Sequence, residues 1–159
     1  MRQHCRTCLT SVWIYRAVRL ALAASFIVAG TLKLADVHAF VLTIKAFAIL
    51  PSDSVKPIAM MLPVLEIAGG LLLAFDLPGG LAVIGGLLLL FLGVVGNAIR
   101  QGLDIDCGCY GPGDPEGEVY HGLHTTLWRD LAMLAGVFYC LLWRRARGGH
   151  PLSPVTQNQ

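Results

Sequence analysis

Two cysteines separated by a single glycine, Cys107 and Cys109, are the residues of this chain whose types and spacing best suit chemistry. A disulfide across one residue closes only through a tight turn, and Gly108 supplies the backbone freedom for such a turn. A disulfide held under strain is more oxidising than a relaxed structural one. We therefore predict thiol–disulfide exchange with these two as catalytic cysteines. Two reduced thiols at a loop base, half of a metal site and a structural disulfide are the alternatives.

The composition is that of a membrane protein. The chain has 159 residues, of which 55% are hydrophobic and 14% charged, and its mean hydropathy is +0.66. Because a spanning helix takes ~20 apolar residues, the chain has room for about four spans. The net charge of +2 gives no reason to expect nucleic acid as a partner. The predicted fold is all-α, a four-transmembrane-helix bundle in a lipid bilayer.

The pattern of apolar runs divides the chain. The predicted spans cover residues 12–34, 58–75, 79–99 and 127–143, so the membrane domain is 12–143, between tails 1–11 and 144–159. Residues 38–50 predict a short amphipathic helix in the first outer loop, either in the membrane interface or as a lid over the bundle mouth. Basic residues near both ends predict that both tails are cytoplasmic, which puts Cys107 and Cys109 on the outer face of the cell (inner) membrane.

Charged and small residues inside the spans predict how the helices pack. Arg19 and Glu66 are costly in an apolar bundle unless partnered, and their depths predict an ion pair between them. For Glu66 a proton relay and a quinone contact are alternatives to a buried ion pair that fixes helix register. Gly69 and Gly70 in the second span predict close helix contact, as do the third-span glycines 85, 86, 93 and 96. The lone Cys140 is predicted to fill the core.

Further polar residues are predicted near the depth of the cysteines. Lys33 and Asp130 lie at matching heights, where the two could pair. The predicted supporting set consists of Lys33, Glu66, Asn97, Arg100, Arg129 and Asp130. A less favoured metal site would combine the two thiolates of Cys107 and Cys109 with the imidazoles of His121 and His124. Cys5 and Cys8 form a Cys-x-x-Cys that is either incidental, a second redox pair or a metal site.

Several of these residues also carry a resemblance to a known family. The segments concerned, in order, are Ala29-Gly30 with Lys33, Leu50-Pro51, Leu62-Pro63 with Glu66, Asn97, Arg100-Gln101-Gly102, the run DCGCYG at 106–111, and Arg129-Asp130. In this order they resemble the methylamine-utilization MauE family, which is related to the DoxX-like membrane proteins. The resemblance implies an inner-membrane protein that assists maturation of an exported, disulfide-rich dehydrogenase subunit alongside a thioredoxin-like partner.

The function expected from the residues is thiol–disulfide exchange on the outer face, as a membrane oxidoreductase with a membrane quinone as the candidate electron acceptor. Two other classes remain open. The first is a non-enzymatic assembly factor or DoxX-like respiratory, quinone-associated subunit, in which the cysteines are structural. The second is a metal-handling or transport protein that uses the cysteines and histidines, with Glu66 on the path.

Overall fold

The computed structural model describes residues 12–47, 51–102 and 123–147, and this part of the chain is helical. Four long helices form a bundle, and a short helix follows the first of them. The helices are α1 (Val12–Ala35), α2 (Val37–Ala46), α3 (Ser52–Ala74), α4 (Gly80–Arg100) and α5 (Leu123–Arg147). Each long helix contains a stretch long and apolar enough to cross a membrane, as predicted.

The core of the bundle is a column of apolar side chains contributed by all four long helices. Phe26 of α1, Leu73 of α3, Ile84 of α4 and Val137 of α5 are buried together, and Cys140 is fully buried among them as a free thiol. The prediction that Cys140 fills the core is thus confirmed. Large apolar side chains such as Met61, Leu89 and Phe138 are exposed on the outside, where a bilayer would solvate them.

Helices α3 and α5 are longer than the apolar pattern predicts. α3 begins at Ser52 rather than at residue 58, because its first turns pack against α2 instead of lipid, with Val55 and Ala59 buried against Phe40 and Val41. α5 continues past Trp143 to Arg147, and Arg144 in that extension pairs with a carboxylate in the turn between α3 and α4. In both cases tertiary contacts extend the helix beyond its hydrophobic run.

The short helix α2 folds over one end of the bundle. The Asp36 side chain caps its N-terminus by accepting a hydrogen bond of 2.9 Å from the Ala39 backbone N–H. Helix α2 packs against α3, and Phe47, the C-cap residue of α2, is also buried against Val95 and Ala98 of α4. These contacts match the lid alternative. We call this the lid end, where α1 ends and where residues 103–122 connect α4 to α5; the opposite end is the turn end, after the α3–α4 turn.

Glycines set the closest helix contact, which is between α1 and α3. A Cβ atom added to Gly30 would lie 2.8 Å from the Pro63 carbonyl oxygen, and one added to Gly70 would lie 3.0 Å from the Ala23 carbonyl oxygen. Gly69 packs equally closely against Val83, so the prediction for Gly69 and Gly70 is confirmed. In the third span the prediction holds only for Gly85, where an added Cβ would lie 3.5 Å from Val137 of α5. It is wrong for Gly86, Gly93 and Gly96, which have no such neighbour within 4 Å because they lie on the outer side of α4.

Replacement of Gly30 by alanine is expected to lower the free energy of unfolding by about 1–3 kcal/mol, because the new methyl group overlaps the α3 backbone. Unfolding in mixed detergent micelles measures this change. Gly93→Ala is the matched control: it adds the same methyl group on a helix but meets open space. Equal stability of the two variants would contradict the contact described for α1 and α3.

Candidate functional site

The bundle holds two buried clusters of charged side chains, one near each end. The first, the Asp76 cluster, consists of Tyr15 and Arg19 of α1, Asp76 of the α3–α4 turn and Arg144 of α5. The Tyr15 hydroxyl donates to Asp76 Oδ1 at 2.7 Å, and Arg19 Nη1 lies 3.0 Å from Asp76 Oδ2. Arg144 donates to the Tyr15 hydroxyl at 2.9 Å and also binds Asp76 Oδ1. Asp76 thus links α1 and α5 to the α3–α4 turn.

Local structure presents Asp76 to these partners. Its backbone has a φ of 57°, in the left-handed region that few residue types other than glycine and asparagine or aspartate adopt. Tyr15 is held in place by stacking on Trp143, with ring centroids 4.2 Å apart. Burial would raise the pKa of Asp76, but hydrogen bonds from Tyr15, Arg144 and Arg19 and the charge of Arg144 together hold it below the usual 3.8. The carboxylate is therefore ionised at neutral pH.

The second cluster, the Glu66 cluster, consists of Lys33, Glu66, Arg129 and Asp130. Lys33 Nζ donates to Glu66 Oε1 at 2.5 Å, and both side chains are buried. Arg129 Nη2 lies 3.6 Å from Asp130 Oδ1, and Asp130 is buried as well. The Lys33 ammonium also lies 5.4 Å from the Phe40 ring of α2, so the lid helix covers it.

The predicted pair of Arg19 with Glu66 is wrong. Because α3 extends beyond the end of α1, the middle of α3 is level with the last turn of α1, and Glu66 meets Lys33 there. Arg19 lies 14 residues earlier on α1, about 21 Å along the axis, and pairs with Asp76 instead. Lys33 accordingly pairs with Glu66 rather than with Asp130. The prediction that Arg19 needs a polar partner inside the bundle is confirmed, but that partner is Asp76, for which no pairing was predicted.

A cavity of ≈ 30 Å³ lies inside the Glu66 cluster. Lys33, Glu66, Arg129 and Asp130 line it together with apolar side chains of α1, α4 and α5, so the structure brings four of the predicted supporting residues to one place. Asn97 and Arg100, also predicted, lie exposed on the last turn of α4 and do not line the cavity.

The remaining predicted site residues lie outside the described part of the chain, or their side chains do. This holds for Cys5, Cys8, Cys107, Cys109 and His121, while His124 belongs to the first turn of α5. Within the described residues no three His, Cys, Asp or Glu side chains meet to form a metal site. The exchanging pair and the metal set remain predictions.

The Asp76 cluster is the part of the structure that the sequence reasoning missed. Asp76 lies between the second and third predicted spans, and no partner was predicted for it. A signal was present, because Asp76 lies in the turn between the second and third spans, at the membrane face where the first and fourth spans carry arginines, at Arg19 and Arg144. Buried arginines at one membrane face need a counter-ion from that face, and Asp76 is the acidic residue that the α3–α4 turn supplies.

Four apolar helices around two buried ion-pair clusters define a multi-pass helical membrane protein. Comparison with known families agrees with this class and narrows it. The family model described as methylamine utilisation protein MauE matches residues 11–143, so the chain belongs to the MauE family.

Relatives of this chain carry the same family name. It is 33% identical to the methylamine utilization protein MauE of Paracoccus denitrificans over 97 residues, which is 59% of this chain and 52% of that protein. It is 36% identical to the MauE of Paracoccus versutus over 100 residues, or 61% of this chain and 54% of the relative. The chain thus aligns with about half the length of these curated relatives. No solved structure gives a significant match.

Acid is expected to weaken the Asp76 cluster. Because the pKa of Asp76 is lower in the folded than in the unfolded chain, its contribution to stability is complete above the unfolded value near pH 4 and is lost as the pH falls through the folded value. Melting temperatures in detergent should show Asp76→Asn below wild type at pH 7, with the gap narrowing below about pH 4. A difference in melting temperature between Asp76→Asn and wild type that stays constant with pH would contradict this. The control is Asp53→Asn, which alters an exposed carboxylate.

Breaking the pair of Lys33 and Glu66 from one side is expected to cost about 3–5 kcal/mol of unfolding free energy, because the remaining charge is buried without its partner. Lys33→Met and Glu66→Met should each show this loss. The double variant should recover a large part of it, since neither charge then remains. Strictly additive losses in the double-mutant cycle would show that the two side chains do not interact.

Proposed function

We propose that this protein supports thiol–disulfide exchange at the outer face of the inner membrane, with Cys107 and Cys109 as the exchanging pair. Its role is the maturation of an exported disulfide-containing protein, such as a dehydrogenase subunit. The observation that carries the proposal is the Cys-Gly-Cys element, which lies in the segment joining two membrane spans of a MauE-family chain. The relatives' association with methylamine utilization makes a periplasmic enzyme of amine metabolism the expected client.

Topology supports the location. α4 runs from the turn end to the lid end over 21 residues, about 31 Å, which is the thickness of a hydrocarbon core. The segment with the cysteines leaves α4 at the lid end, across the membrane from Asp76. Arginines gather at the turn end, with Arg16 and Arg19 on α1 and Arg144 and Arg145 on α5. Cytoplasmic faces carry such an excess of basic residues, which favours the outer face for the lid end.

The exchange itself conserves electrons. A client thiolate attacks one sulfur of the Cys107–Cys109 disulfide, and a mixed disulfide forms as the second sulfur leaves as a thiolate. The client's second thiolate then attacks the mixed disulfide, which leaves the client oxidised and the pair reduced. A membrane quinone that takes two electrons and two protons to become a hydroquinone, or the disulfide of a thioredoxin-like partner, would restore the pair.

The described part of the bundle fits a holder for this segment. Ion pairs within the membrane fix the register of α1, α3 and α5, and the ends of α4 and α5 are the attachment points of residues 103–122. A rigid frame of this kind fixes the two points at which the cysteine-bearing segment is attached, and defined geometry of this kind favours reaction between groups held close together. The same rigidity would also serve an assembly factor, so the experiment must separate the two roles.

Trapping tests the proposed exchange. In Cys109→Ser the Cys107 thiolate can still attack the disulfide of an oxidised client or of a thioredoxin-like partner, with one sulfur of that disulfide leaving as a thiolate. Because Cys109 is missing and cannot resolve the mixed disulfide, a covalent adduct should accumulate and should dissolve in reductant. Cys107→Ser/Cys109→Ser is the control; it keeps the buried Cys140 and should give no adduct. Client disulfides should fall at least about tenfold in the double variant. Normal client disulfides in that variant would leave only the assembly role.

A further inference from the structure

The cavity of the Glu66 cluster contains hydrogen-bond acceptors that nothing in the described structure satisfies. Glu66 Oε2 and Asp130 Oδ2 are both buried, and neither has a hydrogen-bond partner among the described residues. Their other oxygens contact Lys33 and Arg129, respectively. Glu66 is 0% and Asp130 3% exposed, so solvent at the protein surface does not reach these atoms. Two carboxylates from different helices therefore line one cavity, and each has one oxygen without a hydrogen-bond partner among the described residues.

Such oxygens are costly inside a membrane. A buried polar atom without a partner loses several kcal/mol relative to water, and the loss is larger for a charged group. A hydrogen-bond donor or a cation in the cavity would remove that cost. Glu66 Oε2 and Asp130 Oδ2 are acceptors, so an occupant that satisfies them must donate.

The size and walls of the cavity restrict that donor. A volume of ≈ 30 Å³ has room for one or two water molecules. A hydrated metal ion fits poorly, because calcium takes six to eight oxygen ligands, whereas the side chains lining the cavity offer only the two carboxylates and the Ser25 hydroxyl. Phe26, Leu88, Phe91 and Met133 form apolar walls that supply no further ligand. Water and the proton are the donors that remain.

We propose that the Glu66 cluster is a proton-binding site in which Glu66 and Asp130 share one exchangeable proton through a water in the cavity. A proton arriving as hydronium forms an O–H bond at Glu66 Oε2 or Asp130 Oδ2 and leaves a water molecule behind; release reverses this, and no electrons move. The two carboxyl groups exchange the proton through that water.

The charges around the site come from three helices. Lys33 faces it from α1, Glu66 from α3, and Arg129 and Asp130 from α5, whereas α4 contributes only Leu88 and Phe91. Two cations therefore balance two carboxylates, and uptake of a proton gives the cluster a charge of +1. The site does not depend on the function proposed for the cysteines, since none of its residues lies in 103–122.

Infrared difference spectroscopy of the full chain in detergent, titrated between about pH 4 and about pH 9, tests this with the proton itself as the probe. Wild type should show a carboxylic acid carbonyl band that titrates with pH. Glu66→Gln should remove that band, and Asp130→Asn should shift or remove it. Asp53→Asn, which alters an exposed carboxylate at the start of α3, should leave it unchanged.

A proton count with an indicator dye gives a second measurement. Over the same range, wild type should bind about one proton more per chain than Glu66→Gln/Asp130→Asn. If both carboxylates serve only as structural ion pairs, both stay ionised, no band depends on either residue, and the proposal is overturned. Should Glu66→Gln fail to fold, Asp130→Asn decides, because its partner Arg129 is only partly buried.

Discussion

Burial of carboxylates among apolar helices is the constraint on which the rest of this structure depends. Glu66 and Asp76 lie where water is scarce, and each is stable there only if a cation stands at the same height on a neighbouring helix. Lys33, Arg19 and Arg144 meet that need. These partners fix the positions of α1 and α5 along the axis of α3. The apolar side chains of the core resemble one another and would define this helix register less sharply.

The glycine contacts act on the same helices. Gly30 and Gly70 bring the backbones of α1 and α3 together, and this close approach lets Lys33 reach Glu66 at the end of α1. Lid helix α2 then covers the pair with Phe40, while Phe47 packs on α4. Packing and charge thus depend on each other: neither the glycines nor the ion pair alone would specify this arrangement.

Hydrophobic runs of about 20 residues predict the four spans well, because the cost of exposing apolar side chains to water is local to each run. The polar contacts are less predictable, because a one-turn change in where a helix begins moves a side chain by ~5.4 Å and changes its partner. This is why Arg19 was matched with Glu66 and Asp76 was overlooked. Gly86, Gly93 and Gly96 of α4 were misassigned, because spacing alone does not distinguish glycines on the outer side of a helix from glycines packed against a neighbour. The described residues do not include Cys107 and Cys109, so the prediction of disulfide exchange rests on the spacing of these two cysteines and on the family.

Between the two clusters α1 and α5 carry no charged side chain along about 21 Å of their axes, and α3 carries none along about 15 Å. Such a layer is an electrical insulator, and most of the transmembrane voltage would fall across it. Carrying one elementary charge across the full membrane takes ~2.3 kcal/mol per 100 mV, whereas a proton that reaches Glu66 from the lid end crosses roughly the remaining third to half of a ~30 Å core. Charging and discharging of this carboxyl group would therefore work against only part of the membrane potential.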